Sequence, residues 1–250
     1  MIQQLQEEFK VRIFDVDAHQ HLSIPSLINY MQELAWQHSI EHKVSIYELL
    51  PMGFSWVLSR MKVIINRLPQ HGEAFFVKTW IVNNDKFFCY RDFLVTDAQG
   101  QTLAKGSSIW GILDINRRRI IAVPEYIASK FIYDDYDRTP QIQLSQKLIP
   151  PQGADFEQSF QVRYSDIDIN NHVNNMLYFQ WVVETFSVEW LKTHFLKEID
   201  LTFRMESAMG DTIDGKAQKA IDQDNTFLHK LSNQHAKDLV MAKTTWEDLG

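Results

Sequence analysis

The chain carries one pattern twice. Asp15-Val16-Asp17-Ala18-His19-Gln20-His21-Leu22 aligns without gaps on Asp166-Ile167-Asp168-Ile169-Asn170-Asn171-His172-Val173. The same register sets Tyr30 against Trp181 and Glu33 against Glu184, inside stretches that both read as aromatic-rich amphipathic helices. Self-similarity of this extent requires one fold to be built twice, so the 250 residues divide into two similar domains rather than one large α/β unit.

The elements of each copy follow from local chemistry. The first helix is predicted to start at Ser23, an N-cap with Pro25 just inside, and to place Leu27, Ile28, Tyr30, Met31, Leu34 and Ala35 on a broad apolar face. The second is predicted over residues 174–191; it is apolar nearly all round, with Leu177, Trp181, Phe186 and Leu191 among its positions, and needs burial. Strand texture follows each helix, over 53–68, 73–83, 87–96 and 102–115 in the first copy and 199–206, 211–221, 226–232 and 238–247 in the second. Short polar turns such as Asn84-Asp85-Lys86 separate neighbouring strands, which is the signal of an antiparallel meander.

Each copy is therefore a strand, one long apolar helix and several antiparallel strands. Wrapping a twisted sheet round the helix is the economical way to bury both. The expected fold class is α+β, two tandem hotdog domains, each an antiparallel sheet wrapped round a long central helix. Their expected bounds are 1–132 and 154–250. Between them, residues 133–153 are rich in Asp, Gln and Pro, end in Pro150-Pro151-Gln152-Gly153, and read as a linker. Two copies in one chain mimic the dimer that single hotdog domains form, and a homodimer of the whole chain is compatible with this plan.

Composition narrows the function classes. Sixteen Phe, eight Tyr and seven Trp exceed the needs of a helical bundle and suit sheet surfaces or an apolar ligand cavity. A net charge of −7 argues against sequence-independent binding to nucleic acid, which depends on cations displacing counterions. Cys89 is the sole cysteine, so an intrachain disulfide and multi-thiolate metal sites are ruled out. No run reaches the roughly 18 apolar residues of a membrane span, and residues 1–8 lack a signal-peptide pattern, so a soluble cytoplasmic protein is expected.

Chemistry concentrates in the second copy. Asp168, Asn170 and His172 lie just ahead of the second helix, where Asn and Asp are also common as caps and turn formers. Capping alone does not account for them, because the first copy caps its helix with no Asn cluster. Arg204-Met205 aligns with Arg60-Met61, which sets Glu206 and Ser207 against Lys62 and Val63; on this alignment the first copy has lost the carboxylate. A strand Glu is ordinarily a solvated salt-bridge partner. Its occurrence in the same copy as Asn170 and His172 makes it a candidate for chemistry.

A carboxylate, an imidazole and a carboxamide are sufficient to hydrolyse an activated ester, with a base directing water and donors steadying the oxyanion. No metal or cofactor is required. Cys89 lies in the copy without these groups, and Ser207 lacks the surrounding motif of a serine nucleophile. His19 with His21, and His38 with His42, read as surface or capping residues rather than ligands.

Several segments of the first copy carry a further signal by their order and spacing: Trp56-Val57-Leu58-Ser59-Arg60-Met61, Thr79-Trp80, Arg91-Asp92-Phe93, and Trp110 followed by Asp114-Ile115-Asn116-Arg117-Arg118. In the second they are Ser165 through Asn175 with Tyr178, and Phe203-Arg204-Met205-Glu206-Ser207. Together they resemble the acyl-acyl-carrier-protein thioesterases of plant plastids and their bacterial relatives. The resemblance implies catalysis in the second hotdog domain, with the acyl chain reaching into the first. It places the family's catalytic groups on Asp168, Asn170, His172 and Glu206. The family often carries Cys after the Glu; Ser207 stands there in this chain, which favours attack by water over a thiolate route.

The implied reaction is hydrolysis of an acyl-acyl carrier protein thioester in fatty acid biosynthesis, and the implied partner is acyl carrier protein. That partner is acidic, so a chain of charge −7 needs a local basic patch to receive it. Arg117, Arg118 and Arg119 form the densest cluster, with Arg60, Lys62 and Arg67 as further candidates. An acyl-CoA thioesterase is the nearest alternative, ahead of a non-catalytic acyl-thioester sensor or a hotdog dehydratase.

Overall fold

The computed structural model describes residues 3–131, 139–144, 146–168, 172–221 and 223–249. The chain splits into two compact units, Met1–Leu144 and Ser145–Gly250. The first contains β1 (Gln4–Lys10), α1 (Ile24–Glu41), α2 (Ile46–Leu49), β2 (Phe54–Ile65), β3 (Ala74–Asn84), β4 (Phe88–Asp97), β5 (Thr102–Asp114), β6 (Arg119–Ile121) and α3 (Glu125–Ala128). The second contains β7 (Phe156–Gln161), α4 (Asn175–Glu184), α5 (Val188–Thr193), β8 (His194–Phe203), β9 (Thr212–Lys219), β10 (Thr226–Asn233) and β11 (Asp238–Asp248).

Strand order in the first unit is β1-β3-β4-β5-β2, antiparallel throughout, with β6 folded back on β5. In the second it is β7-β9-β10-β11-β8, also antiparallel. Element by element the two orders are the same, and each helix enters the chain between the first two strands of its unit. The repeat seen in the sequence is thus a repeat of topology.

In α1 the Ser23 hydroxyl accepts the Ser26 N–H at 3.3 Å and Pro25 sits in the first turn, as expected for this N-terminus. Leu27, Ile28, Met31, Leu34 and Ala35 are buried on the face that meets the sheet. Burial of each large aliphatic side chain there contributes roughly 1.5–3 kcal/mol relative to exposure.

The second long helix departs from expectation. It stops at Glu184, and a separate helix starts at Val188. The Thr185 hydroxyl turns back to the Trp181 carbonyl (2.7 Å), and Ser187 caps α5 by accepting the Trp190 N–H (3.2 Å). These local bonds compete with continuation of the helix. β8 accordingly begins earlier than predicted, at His194, and ends at Phe203, where the Arg204 and Met205 N–H groups converge on the Leu239 carbonyl (2.8 and 3.3 Å) and the ladder closes. Glu206 therefore lies in the turn after the strand.

Part of the stretch read as a linker is tied to the first unit. The Gln141 N–H donates to Asp92 Oδ2 (2.5 Å), the Ile142 N–H to Ser107 Oγ (3.2 Å), and Arg60 Nη1 to the Leu144 carbonyl (3.1 Å).

Candidate active site

The loop before α4 is built on Asp166. Its buried carboxylate accepts the Arg163 N–H at 2.8 Å and faces the Arg163 guanidinium at 3.2 Å. Burial works to raise this carboxyl, but the backbone and side-chain donors of Arg163 outweigh it and hold the group below its ordinary value. The Asn174 N–H then donates to the Asp166 carbonyl (2.9 Å), and Asn174 Oδ1 caps α4 by accepting the Met176 N–H (3.0 Å).

Inside that frame Ile167 and Val173 form an antiparallel bridge, and the Asp168 N–H donates to the His172 carbonyl at 2.8 Å. Asp168 Oδ1 lies 3.5 Å from the His172 N–H. Asp168 thus closes the loop through its backbone and side chain. Asn170 lies outside the described residues.

The turn after β8 supplies the other half of the site. The Ser207 carbonyl accepts the Val173 N–H (3.3 Å), and the Ser207 N–H donates to the Tyr178 hydroxyl on α4 (3.0 Å). With the segment laid along the loop in this way, Glu206 Oε2 stands 3.2 Å from His172 Nε2. The side chains are 36% exposed for His172 and 39% for Glu206, so solvent and a bound reactant can reach the pair. A carboxylate opposite Nε2 favours the tautomer with its proton there, leaving Nδ1 as the acceptor.

The same frame recurs in the first unit, which corrects the alignment of the two copies. Asp15, Asp17 and His21 repeat the bonds: Ser23 N–H to the Asp15 carbonyl (2.8 Å), Asp17 N–H to the His21 carbonyl (2.8 Å), and Arg12 N–H to the Asp15 carboxylate (3.0 Å). The partnering turns also match. Gly72 donates to the Val11 carbonyl as Gly210 does to that of Val162, and the Leu22 N–H meets the Pro69 carbonyl as the Val173 N–H meets that of Ser207. Pro69 is therefore the counterpart of Ser207, and Leu68 that of Glu206. Matching the Arg-Met doublets pairs Glu206 with Lys62, which is in the interior of β2; that register is wrong because Arg204-Met205 lies past the end of β8.

The profile of the acyl-ACP thioesterase N-terminal domain matches residues 3–131, and that of the C-terminal domain matches residues 150–248. The chain belongs to the acyl-ACP thioesterase family. Curated relatives in this family include the chloroplastic palmitoyl-acyl carrier protein thioesterases of Cuphea hookeriana, 27% identical over 261 residues, and of Arabidopsis thaliana, 28% identical over 259 residues. The matches cover 96% of this chain and 61% and 63% of those proteins, so the chain spans less than two thirds of their length. Among solved structures, an acyl-ACP thioesterase from Bacteroides thetaiotaomicron superposes with a TM-score of 0.87 at 24% identity, covering 98% of each chain. The 12:0-ACP thioesterase from Umbellularia californica superposes with a TM-score of 0.86 at 24% identity, covering 99% of this chain and 98% of that one. The expected α+β architecture of two tandem hotdog domains holds.

Against this family background, the remaining candidates sort clearly. Ser207 is 2% exposed, which leaves its hydroxyl no access to a substrate. Cys89 is buried in the first unit, and burial pushes its thiol up to about 12. Among the described residues, no cluster of three or more His, Cys, Asp or Glu is placed to hold a metal ion. No described helix is long and apolar enough to cross a membrane.

His38 and His42, read as surface or capping residues, are buried. Their Nε2 atoms lie 3.2 Å apart, His38 Nδ1 faces Arg91 Nη1 at 3.3 Å, and both rings pack on Phe131. Only the capping half of that reading stands, since His42 does end α1. Of the basic candidates, Arg67 is engaged by Glu73 through two bonds (2.8 and 2.6 Å), whereas the Arg117 side chain is 67% exposed with Asp114 at 3.7 Å. Tyr178, which bonds the segment carrying Glu206, is a neighbour that residue chemistry alone did not single out. Its signal was present in the repeat, which sets Tyr178 opposite Leu27.

Proposed function

We propose that this chain hydrolyses the thioester of acyl-acyl carrier protein, releasing a free fatty acid and the thiol-bearing carrier. The observation that carries the reading is the His172–Glu206 pair at 3.2 Å, reachable by solvent, in a chain of this family. The pair removes a proton from water, the resulting hydroxyl oxygen attacks the thioester carbonyl, and the carbon–sulfur bond breaks as the proton passes to the departing thiolate. Base duty belongs to Glu206 and His172 jointly. Asp168 fixes the loop that carries His172, and Asn170 is assigned to the thioester carbonyl or the water by its place in the motif.

Residues 1–132 are assigned the acyl chain and residues 154–250 the chemistry, with 133–153 between them. Acyl carrier protein is acidic, and the exposed Arg117 with its neighbours Arg118 and Arg119 is the surface assigned to it. A cytoplasmic location fits a chain whose one cysteine is free and buried.

Release of free thiol from acyl-carrier and acyl-CoA substrates tests the reading in wild type and in His172→Ala, Asn170→Ala and Glu206→Ala. Absence of hydrolysis of any acyl thioester by wild type refutes the function, and full activity in all three variants refutes the site. Charge reversal at Arg117 to Arg119 should slow turnover of the carrier-linked substrate far more than that of CoA esters.

A further inference from the structure

The two units share a backbone frame but differ at three positions that meet in space in the second. Where the first unit has Leu68, Pro69 and Leu27, the second has Glu206, Ser207 and Tyr178. The shared part of the contact is the carbonyl of residue 69 or 207, which accepts an N–H from Leu22 or Val173 in both units. The added part is found only beside the carboxylate: the Ser207 N–H donates to the Tyr178 hydroxyl at 3.0 Å. Proline has no N–H and leucine no hydroxyl, so both ends of this bond are missing together in the unit that also lacks the Glu. The fold is built in the first unit without it. We propose that Tyr178 is a positioning residue for the reaction, holding Glu206 against His172 through the Ser207 backbone.

The packing supports this role. Tyr178 is 2% exposed, and its ring is held edge-on by Trp181 and Phe203, with centroids 5.4 and 5.7 Å away. Its hydroxyl therefore has one place to stand, and it fixes the amide next to Glu206. Burial raises the Tyr178 hydroxyl above its ordinary value and outweighs the lowering effect of its bonding to Ser207, so it stays a neutral phenol. The Glu206 side chain is itself partly solvated, and without the anchored amide its backbone has fewer constraints on where it presents the carboxylate. A misplacement on the order of 1 Å in such a group costs about 100-fold in rate.

The inference rests on the thioesterase reading, and its test separates the two. Tyr178→Phe removes one oxygen and keeps the ring. Turnover of an acyl-carrier substrate is measured in wild type, Tyr178→Phe, Glu206→Gln and the double variant, each below its own melting temperature. The expected result is a fall in kcat of about 10- to 100-fold for Tyr178→Phe with KM within about 2-fold, and no further loss when the change is added to Glu206→Gln. Equal losses in both backgrounds, or a kcat like that of wild type, would overturn the proposal. The 15N shifts of the His172 ring report on the group opposite Nε2 without turnover. They should move in Tyr178→Phe in the direction seen for Glu206→Gln, and unmoved shifts overturn the inference even if wild type proves inactive on every thioester.

Discussion

Leu68 occupies in the first unit the place that Glu206 occupies in the second, on turns whose backbones make matching hydrogen bonds. His21 and His172 are likewise counterparts, each held by a preceding aspartate. His21 Nε2 lies 3.4 Å from the Gln70 amide nitrogen, whereas His172 Nε2 faces a carboxylate. Two histidines at matching places in the frame therefore differ in the group that faces Nε2. His172→Ala should lower kcat by on the order of 10²- to 10⁴-fold. His21→Ala, which disturbs the same kind of loop, should leave kcat within about 2-fold of wild type. Comparable losses from both in a thiol-release assay would mean that the loops act structurally.

Cys89 is fully buried in β4, with its thiol pushed up to about 12 chiefly by that burial. A thiol so placed has almost no thiolate at neutral pH and no route to an alkylating agent. Native protein should resist iodoacetamide and label only after unfolding, as followed by mass spectrometry. Cys89→Ala should keep wild-type kcat. Rapid labelling with loss of activity would place a reactive thiol where the structure has none.

What the sequence disclosed and what it hid differ by range. Ser23 and Pro25 announce the start of α1 because capping is settled within four residues. The repeat exposed the Asp-to-His loop because its hydrogen bonds are local and its spacing is fixed in both copies. Glu206 and His172, each a candidate by residue type, stand 3.2 Å apart, yet the Arg-Met match sets Glu206 opposite the wrong residue of the first copy, since two residues carry no information about where a strand stops. The burial of His38 and His42 was hidden for a related reason: it depends on Arg91 and Phe131, which arrive from β4 and from beyond α3. The break after Glu184 was legible in Ser187 as a second N-cap, but the continuous apolar character of the segment masked it.

Gly215 lies in β9 beneath the end of α4. A Cβ there would stand 2.5 Å from Thr185 Oγ1, 3.2 Å from Leu231 Cδ2 and 3.3 Å from Phe160 Cε2. The Thr185 hydroxyl is held by the Trp181 carbonyl and cannot swing away without losing that bond. Gly215→Ala should destabilise the second unit by about 1–3 kcal/mol in urea unfolding. Adding Thr185→Ala should recover part of the loss, because the two changes share one collision. Strictly additive effects would show that the helix end, rather than this contact, sets the cost.

Asp92 couples the first unit to pH. It is 1% exposed, accepts the Ser107 hydroxyl and the Gln141 N–H at 2.5 Å each, and is nonetheless raised to about 6 because burial outweighs both donors. The ordinary value is 3.8, so folding favours the protonated acid. The stabilisation this provides is complete below the unfolded value and is lost as pH rises through about 6. A shift of this size corresponds to about 3 kcal/mol. Asp92→Asn removes the titration, and the Ser107 hydroxyl can rotate to accept the new amide. The stability of Asp92→Asn relative to wild type should therefore rise by up to about 3 kcal/mol between pH 4 and pH 7.5, as measured by urea unfolding at both values. Taking the difference between the two proteins cancels every other titrating group. A difference that does not change with pH would mean that Asp92 titrates alike in the folded and unfolded chains.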